Sequence, residues 1–334
     1  MKRILAQLLW LPATVLAGAV FLSGAWGALA LWYQLPARRA VRAFACALWM
    51  LLVAGLIALA VLIWRPWPLL AYAVLLAALL AWWAGIRPTH RRCWAPDVDR
   101  LLHGSVDGDV VTLRNVRNFD WHRDDDFDVR WETRHYDLAA LVGADAILSY
   151  WNGRAIAHAM VSFGFDDGRH LVFSVEIRKR RGQAYSSLGG FFKCFEMIVL
   201  AAEERDIVRV RTNVRGEDDY LYPLSMDRAA LRALFASYVE AANALCATPR
   251  FYHSVSSNCT TLVYRMARQA HPGLPLDIRL LLTGYLPGYL REHGVLDPRF
   301  TLRQWRQRAR ITGRARRCPA DGDFSRAIRE PASP

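Results

Sequence analysis

The chain has 334 residues, is 54% hydrophobic with 13 Trp, and sets 43 Lys and Arg against 30 Asp and Glu for a net charge of +13. That quantity of apolar and aromatic side chain excludes intrinsic disorder. The distribution excludes a wholly soluble protein, because no Asp or Glu precedes Asp97 and the long apolar runs crowd into that acid-free opening.

Three apolar stretches, 4–33, 43–64 and 69–86, each come close to or exceed the roughly 18 to 20 residues needed to cross a hydrocarbon core. Trp32, Tyr33, Trp64, Trp67, Trp82 and Trp83 gather near their ends, as expected for rings that rest at the interface. The first stretch is about twice as long as the apolar region of a cleaved signal, so a retained anchor is expected. The predicted organisation is a transmembrane region over 1–93 followed by a soluble domain over 94–330. Three spans put the two ends of the chain on opposite sides. Arg38, Arg39 and Arg42 in the first connection, with Arg87, Arg91 and Arg92 after the third span, favour a cytoplasmic domain, whereas Lys2 and Arg3 favour the reverse.

Beyond Trp94 the sequence is strand-like in short pieces. The run 108–113 alternates, and DDDFD at 124–128 reads as a solvated turn. Three β-rich runs follow at 146–151, 157–165 and 171–178, the last two joined by the turn signal Asp166-Asp167-Gly168. These predict a β-meander. Residues 193–202 suit either helix or strand, and 207–213 reads as a strand because Ile and Val alternate with charge. The stretch 224–245 predicts a helix capped by Asp227, with Leu231, Leu234, Phe235 and Tyr238 on one face.

Cys259 follows Asn258 and precedes a helix-compatible run that begins at Thr260. A thiol at a helix N-terminus has a lowered pKa and nearby amides for a developing oxyanion. The alternative is a small buried hydrophobe. Among nine histidines, His158 stands out as an ionisable group within an apolar strand. A hairpin through Asp166-Asp167-Gly168 brings it towards Glu176, an acid within the partner strand. A carboxylate there would fix the tautomer of the imidazole. The alternatives are a satisfied core histidine and an ion pair between Glu176 and Arg178, two residues on. The six cysteines show no zinc spacing, and no motif asks for a metal ion or a cofactor. Seven Arg between Arg303 and Arg317 read as a surface for anionic headgroups in preference to nucleic acid.

The strings AHAMVSFGF (157–165), SVEIRK (174–179), ERDIVRVRTN (204–213), RGEDDYLYPL (215–224), PRFYH (249–253) and SNCTT (257–261), in that order, resemble the Lnb N-terminal periplasmic domain family. The resemblance spans about 94–330. It implies an α+β domain of the permuted papain-like (NlpC-type) kind, with an antiparallel sheet and helices, in which the histidine strand precedes the cysteine helix. It also implies Cys259 as nucleophile and His158 as base, in a periplasmic domain anchored to the bacterial inner membrane. Glu176 as the orienting group is an inference from the residues. Asn258, Thr260, Tyr252 and Arg178 are the expected substrate-binding residues. The expected activity is cysteine-dependent acyl transfer or hydrolysis, through an acyl-thioester, on membrane lipids or lipoproteins as partners. NlpC-type peptidoglycan amidase action and a non-catalytic envelope-binding module stand as alternatives.

Overall fold

A computed structural model describes residues 2–255, 260, 262–264, 268 and 273–330. The chain falls into two units, residues 1–89 with 186–194, and residues 90–185 with 195–334.

In the first unit, helices α1 (Lys2–Gln34), α2 (Arg39–Ile63) and α3 (Trp67–Gly85) correspond to the three expected spans. Each is long and apolar enough to cross a membrane. They approach through small residues, as lipid-embedded helices do. A side chain at Gly24 would meet Val53 at 2.9 Å, and Trp49 Nε1 donates to the Gly24 carbonyl at 2.8 Å. Val20, Val53 and Tyr72 form a common core, where the Tyr72 hydroxyl meets Ser23 Oγ at 2.7 Å. Arg39 lies over the Trp32 ring and Arg42 reaches the Trp32 carbonyl at 3.5 Å. Two of the three arginines in the first connection are therefore engaged within the helical unit.

The second unit is built on an eight-stranded sheet. Its strands are β1 (His103–Asp107), β2 (Val110–Arg117), β5 (Trp131–Asp137), β6 (Leu141–Asn152), β7 (Ile156–Phe165), β8 (His170–Arg178), β9 (Glu196–Ala202) and β10 (Asp218–Pro223). The order runs β1-β2-β9-β8-β7-β6-β10, with β5 also paired to β2. Strands β3 (Asp120–Arg123) and β4 (Asp126–Asp128) form a separate hairpin. The acidic run 124–128 thus supplies the turn of that hairpin and its second strand. The expected meander is β6-β7-β8, and the β7–β8 turn closes with Gly168 at φ +83. Residues 196–202 resolve as a strand that is buried along its whole length.

One face of the sheet, from Val161, Phe163, Phe173, Val175 and Val199, packs on helix α5 (Arg228–Ala247) through Leu231, Leu234, Phe235 and Tyr238. Asp227 caps α5 by accepting from the Ala230 amide at 2.7 Å. The other face, from Ile147, Met160 and Val172, is covered by helices α4 (Glu204–Arg209), α8 (Thr312–Arg317) and α9 (Phe324–Arg329). Helices α6 (Leu286–Glu292) and α7 (Leu302–Ala309) close the far end of the first face over Ala157 and Ala159. The arginine-rich tail is therefore folded structure. Arg310 pairs with Asp218, Arg316 donates to the Thr212 carbonyl, and Arg314 donates to the Glu330 carbonyl.

The strand expected over 207–213 is instead helical, since α4 continues into a π-turn over Val210–Val214. Alternation of valine with arginine imitated a period of two, but Arg211 is itself buried, and Ile207, Val208, Val210 and Arg211 form one inward-facing surface. A buried carboxylate fixes this segment. Asp206 accepts from Arg117 Nε and Nη2 at 2.9 Å each, from the Phe119 amide at 2.9 Å and from Trp121 Nε1 at 2.7 Å. Removing one partner of a buried pair strands the other charge. Asp206→Ala is therefore expected to cost about 3–5 kcal/mol, seen as a fall in the unfolding midpoint of the detergent-solubilised protein.

Candidate functional site

The β7–β8 register pairs Met160 with Ser174, so two residues further along the same ladder direction His158 comes opposite Glu176. Paired residues in an antiparallel ladder share a face. The three polar side chains converge as that register requires. His158 Nε2 lies 2.7 Å from Ser174 Oγ and 3.1 Å from Glu176 Oε1, while Ser174 Oγ donates to Glu176 Oε1 at 2.8 Å. The π-turn then delivers Arg211, whose Nη2 donates to the same Glu176 oxygen at 2.6 Å. Wide helical turns of this kind are frequent at functional sites.

The start of β7 is held from outside the sheet. The Ala157 amide donates to Thr283 Oγ1 at 2.9 Å, and the Thr283 hydroxyl donates to the Ala157 carbonyl. The next residue must be glycine, because a side chain at Gly284 would lie 2.0 Å from the Arg154 carbonyl oxygen. His158 is thereby positioned on both strand neighbours and on this turn.

Burial opposes ionisation of Glu176, but the positive charges at His158 and Arg211, with hydrogen bonds from His158 and Ser174, hold its carboxyl well below the usual range. Glu176 is thus a carboxylate. Arg211 is buried too: desolvation acts to lower its pKa, but the charges of Glu176, Glu217, Asp219 and Asp206 together raise it. With Glu176 ionised, the imidazole proton belongs on Nε2, facing Ser174 and Glu176, so in the neutral ring Nδ1 is the basic nitrogen.

His158, Glu176 and Arg211 line a cavity of about 450 Å³ at the start of β7 and the end of β8. Val175 and Tyr252 reach it from the α5 side, and His158, Glu176 and Arg211 from the opposite face. Trp151 and Tyr185 on its wall are both well exposed. Asp97, Asp124 and Glu176 in the wall are each paired, with Lys179 at 3.2 Å, Arg215 at 2.6 Å and Arg211 at 2.6 Å. Beside His158, the β6 and β10 registers align Ser149 and then Asp219 in the same row. Ser149 Oγ bonds Asp219 Oδ1 at 2.5 Å and also Glu217. Burial, reinforced by the negative charges of Glu217 and Asp218, raises Asp219 to about 7 despite the Ser149 hydrogen bond and Arg211.

Of the expected site residues, His158, Glu176 and Tyr252 line the cavity. Tyr252 is placed by its amide, which donates to the Phe195 carbonyl at 2.9 Å, beside the Glu196–Phe251 bridge. Thr260 is buried in helical conformation. Cys259 and Asn258 lie outside the described residues. Arg178 takes another role: it donates to the Val98 and Asp99 carbonyls at 2.9 and 2.5 Å and stacks on Trp94, away from the cavity. Glu176 is accordingly paired with Arg211 and His158, and not with Arg178. The sequence reading missed Ser174, Arg211, Ser149, Glu217 and Asp219. Ser174 was findable, two residues before Glu176 on the same face. Arg211 was concealed by the strand reading.

Residues 127–284 match the family model of the Lnb N-terminal periplasmic domain. No curated protein and no solved structure matches the chain. Behind three helices of membrane-spanning length, that domain makes the protein a membrane-anchored envelope protein of the bacterial inner membrane, with the domain in the periplasm. The reading of the loop charges as cytoplasmic gives way to this finding.

Asp219 gives the site a pH signature. Its folded pKa of about 7 lies above the ordinary 3.8. Between these values the unfolded chain releases the proton and the folded chain retains it, so this group lowers stability as pH rises from about 4 to 7. Asp219→Asn is expected to remove that slope and to stabilise the protein at pH 8 by ~2–4 kcal/mol, measured by denaturant unfolding at pH 5 and pH 8.

Proposed function

From the match of residues 127–284 to the Lnb N-terminal periplasmic domain family, we propose that the protein is a cysteine-dependent acyltransferase or hydrolase working on lipid or lipoprotein acyl groups at the bilayer surface. The observation that carries the reading is the hydrogen-bonded His158–Ser174–Glu176–Arg211 constellation, of which His158, Glu176 and Arg211 line the cavity. A histidine whose Nε2 is committed to an ionised acid presents Nδ1 as a base, which is the arrangement a thiol nucleophile requires. The chain order, with the histidine strand before the cysteine, is the one expected of a permuted papain-like enzyme.

In the proposed reaction, His158 Nδ1 takes the proton of the Cys259 thiol. The thiolate attacks an ester carbonyl, and backbone amides at the start of the following helix receive the oxyanion. Collapse of the tetrahedral adduct breaks the carbon–oxygen bond, and the imidazolium returns its proton to the leaving alkoxide. The result is a thioester on Cys259 and a free alcohol. An amine or water then attacks the thioester, gives its proton to His158, and releases the thiolate. Glu176 stabilises the imidazolium at each stage, and Arg211 keeps Glu176 ionised. The membrane anchor favours donors that reside in the bilayer over soluble ones.

The test uses full-length protein in vesicles with a diacylated lipopeptide. A hydroxylamine-labile acyl adduct on the Cys259 peptide is expected by mass spectrometry, absent in Cys259→Ala. His158→Ala is expected to slow its formation by about 10²–10⁴-fold, the usual contribution of a general base. An unchanged rate in His158→Ala, or an adduct that persists in Cys259→Ala, rejects the mechanism. Cleavage of peptidoglycan peptides without acyl transfer would assign the same residues to amidase chemistry instead. A second readout concerns the thiol. Glu176→Gln is expected to shift the pH midpoint of Cys259 alkylation by iodoacetamide upwards by about one unit or more, through loss of the stabilised imidazolium.

A further inference from the structure

Residues 186–194 lie in the connection between β8 and β9, yet they pack with the three apolar helices. Phe192 anchors them. Its ring stacks on Tyr33 at 5.3 Å, meets Trp83 edge-on at 6.1 Å and lies 6.5 Å from Trp26. The Phe192 carbonyl accepts from Gln34 Nε2 at 2.5 Å, and Ser186 Oγ meets the Tyr33 hydroxyl at 3.3 Å. Lys193, at φ +53, places its ammonium on the Trp83 carbonyl at 2.7 Å and the Ile86 carbonyl at 3.3 Å, at the C-terminal end of α3.

These contacts fix the depth of the segment. α1 ends at Gln34 and α3 at Gly85, and helices that cross in alternate directions put these two ends on one side of the bilayer. Trp26 lies eight residues before Gln34, or about 12 Å below the helix end at 1.5 Å per residue. A ring in contact with Tyr33, Trp83 and Trp26 therefore sits where aromatic belts sit, between headgroups and acyl chains. On the same short segment, Leu188 is 57% exposed and Phe191 is 39% exposed.

We propose that residues 186–194 form a membrane-interface loop of the periplasmic domain, whose partner is the phospholipid of the outer leaflet and whose Leu188 and Phe191 enter the boundary between headgroups and acyl chains. Large apolar side chains exposed at this depth are matched by lipid and not by water. Lys193 is used within the helical unit, so the attraction is apolar. The loop begins one peptide bond after Tyr185, which with Gln183 and Ala184 lines the cavity that holds His158. The proposal does not depend on the catalytic reading.

The experiment places a photoreactive side chain in the loop of the full-length protein, as Leu188→p-benzoylphenylalanine and separately Phe191→p-benzoylphenylalanine. The protein is reconstituted in vesicles of phosphatidylethanolamine and phosphatidylglycerol. Val129→p-benzoylphenylalanine, 55% exposed in the other unit, is the reference. After illumination, phospholipid adducts at 188 or 191 are expected to exceed those at 129 by about tenfold or more, the apolar ring being held among acyl chains. Adduct yields at both positions no higher than at 129 overturn the proposal. Alkylation of Cys259 read on the same vesicles bears only on the catalytic mechanism, so the two readings fail separately.

Discussion

One oxygen atom organises the site. Glu176 Oε1 receives Ser174, Arg211 and His158 within 3.1 Å, in a half-buried position at the cavity wall where little solvent reaches its charge. A carboxylate in that position is costly unless cations and donors meet it, and the same interior strengthens each contact once made. Every neighbouring element is consequently constrained. β7 must present His158 opposite Glu176, β8 must keep Ser174 on the same face, and the segment after α4 must bring a guanidinium to the strand end.

That last requirement reaches far from the cavity. Arg211 rides on a π-turn continuous with α4, and α4 is fixed by Asp206, whose four donors come from Arg117, Phe119 and Trp121. The opposite side of α4 is held by Glu204, which accepts from Ser162 and from Arg329 of α9. Arg329 also binds Asp145 on β6 at 2.6 Å. The C-terminal helices thus help to set the angle at which Arg211 meets Glu176.

What the sequence disclosed follows from how local each constraint is. The meander and the His158–Glu176 pairing depend on a tight turn and a period of two, both contained within about twenty residues, so counting outward from Gly168 was enough. The helix over 228–247 was equally plain, because its cap and its apolar face are adjacent in the chain. Arg211 was hidden because its reason for burial, Glu176, lies 35 residues away on another element, and its flanking valines imitate strand alternation. Residues 186–194 gave no signal for a comparable reason. Their apolar residues answer to Trp26, Tyr33 and Trp83, more than a hundred residues earlier. Asp219 joins the row of Ser149 and His158 only through the pairing of β10 with β6, two strands that are not consecutive in sequence.

Glu176 and Asp219 then show how one sheet assigns opposite states to two acids in a single row. Both are removed from water, and desolvation pushes both towards the neutral form. Glu176 has the Arg211 guanidinium in direct contact and His158 alongside, and its carboxyl falls well below the ordinary range. Asp219 has only a hydroxyl in contact, feels Arg211 at a distance and faces the negative charge of Glu217, so its proton is retained up to about 7. Divergent environments for neighbouring carboxyls are what separates proton-holding from charge-stabilising roles. If both ionised together, two buried anions would compete for Arg211, and the hold on Glu176 would weaken. Retention of the proton by Asp219 leaves Arg211 to Glu176, and with it the orientation of His158.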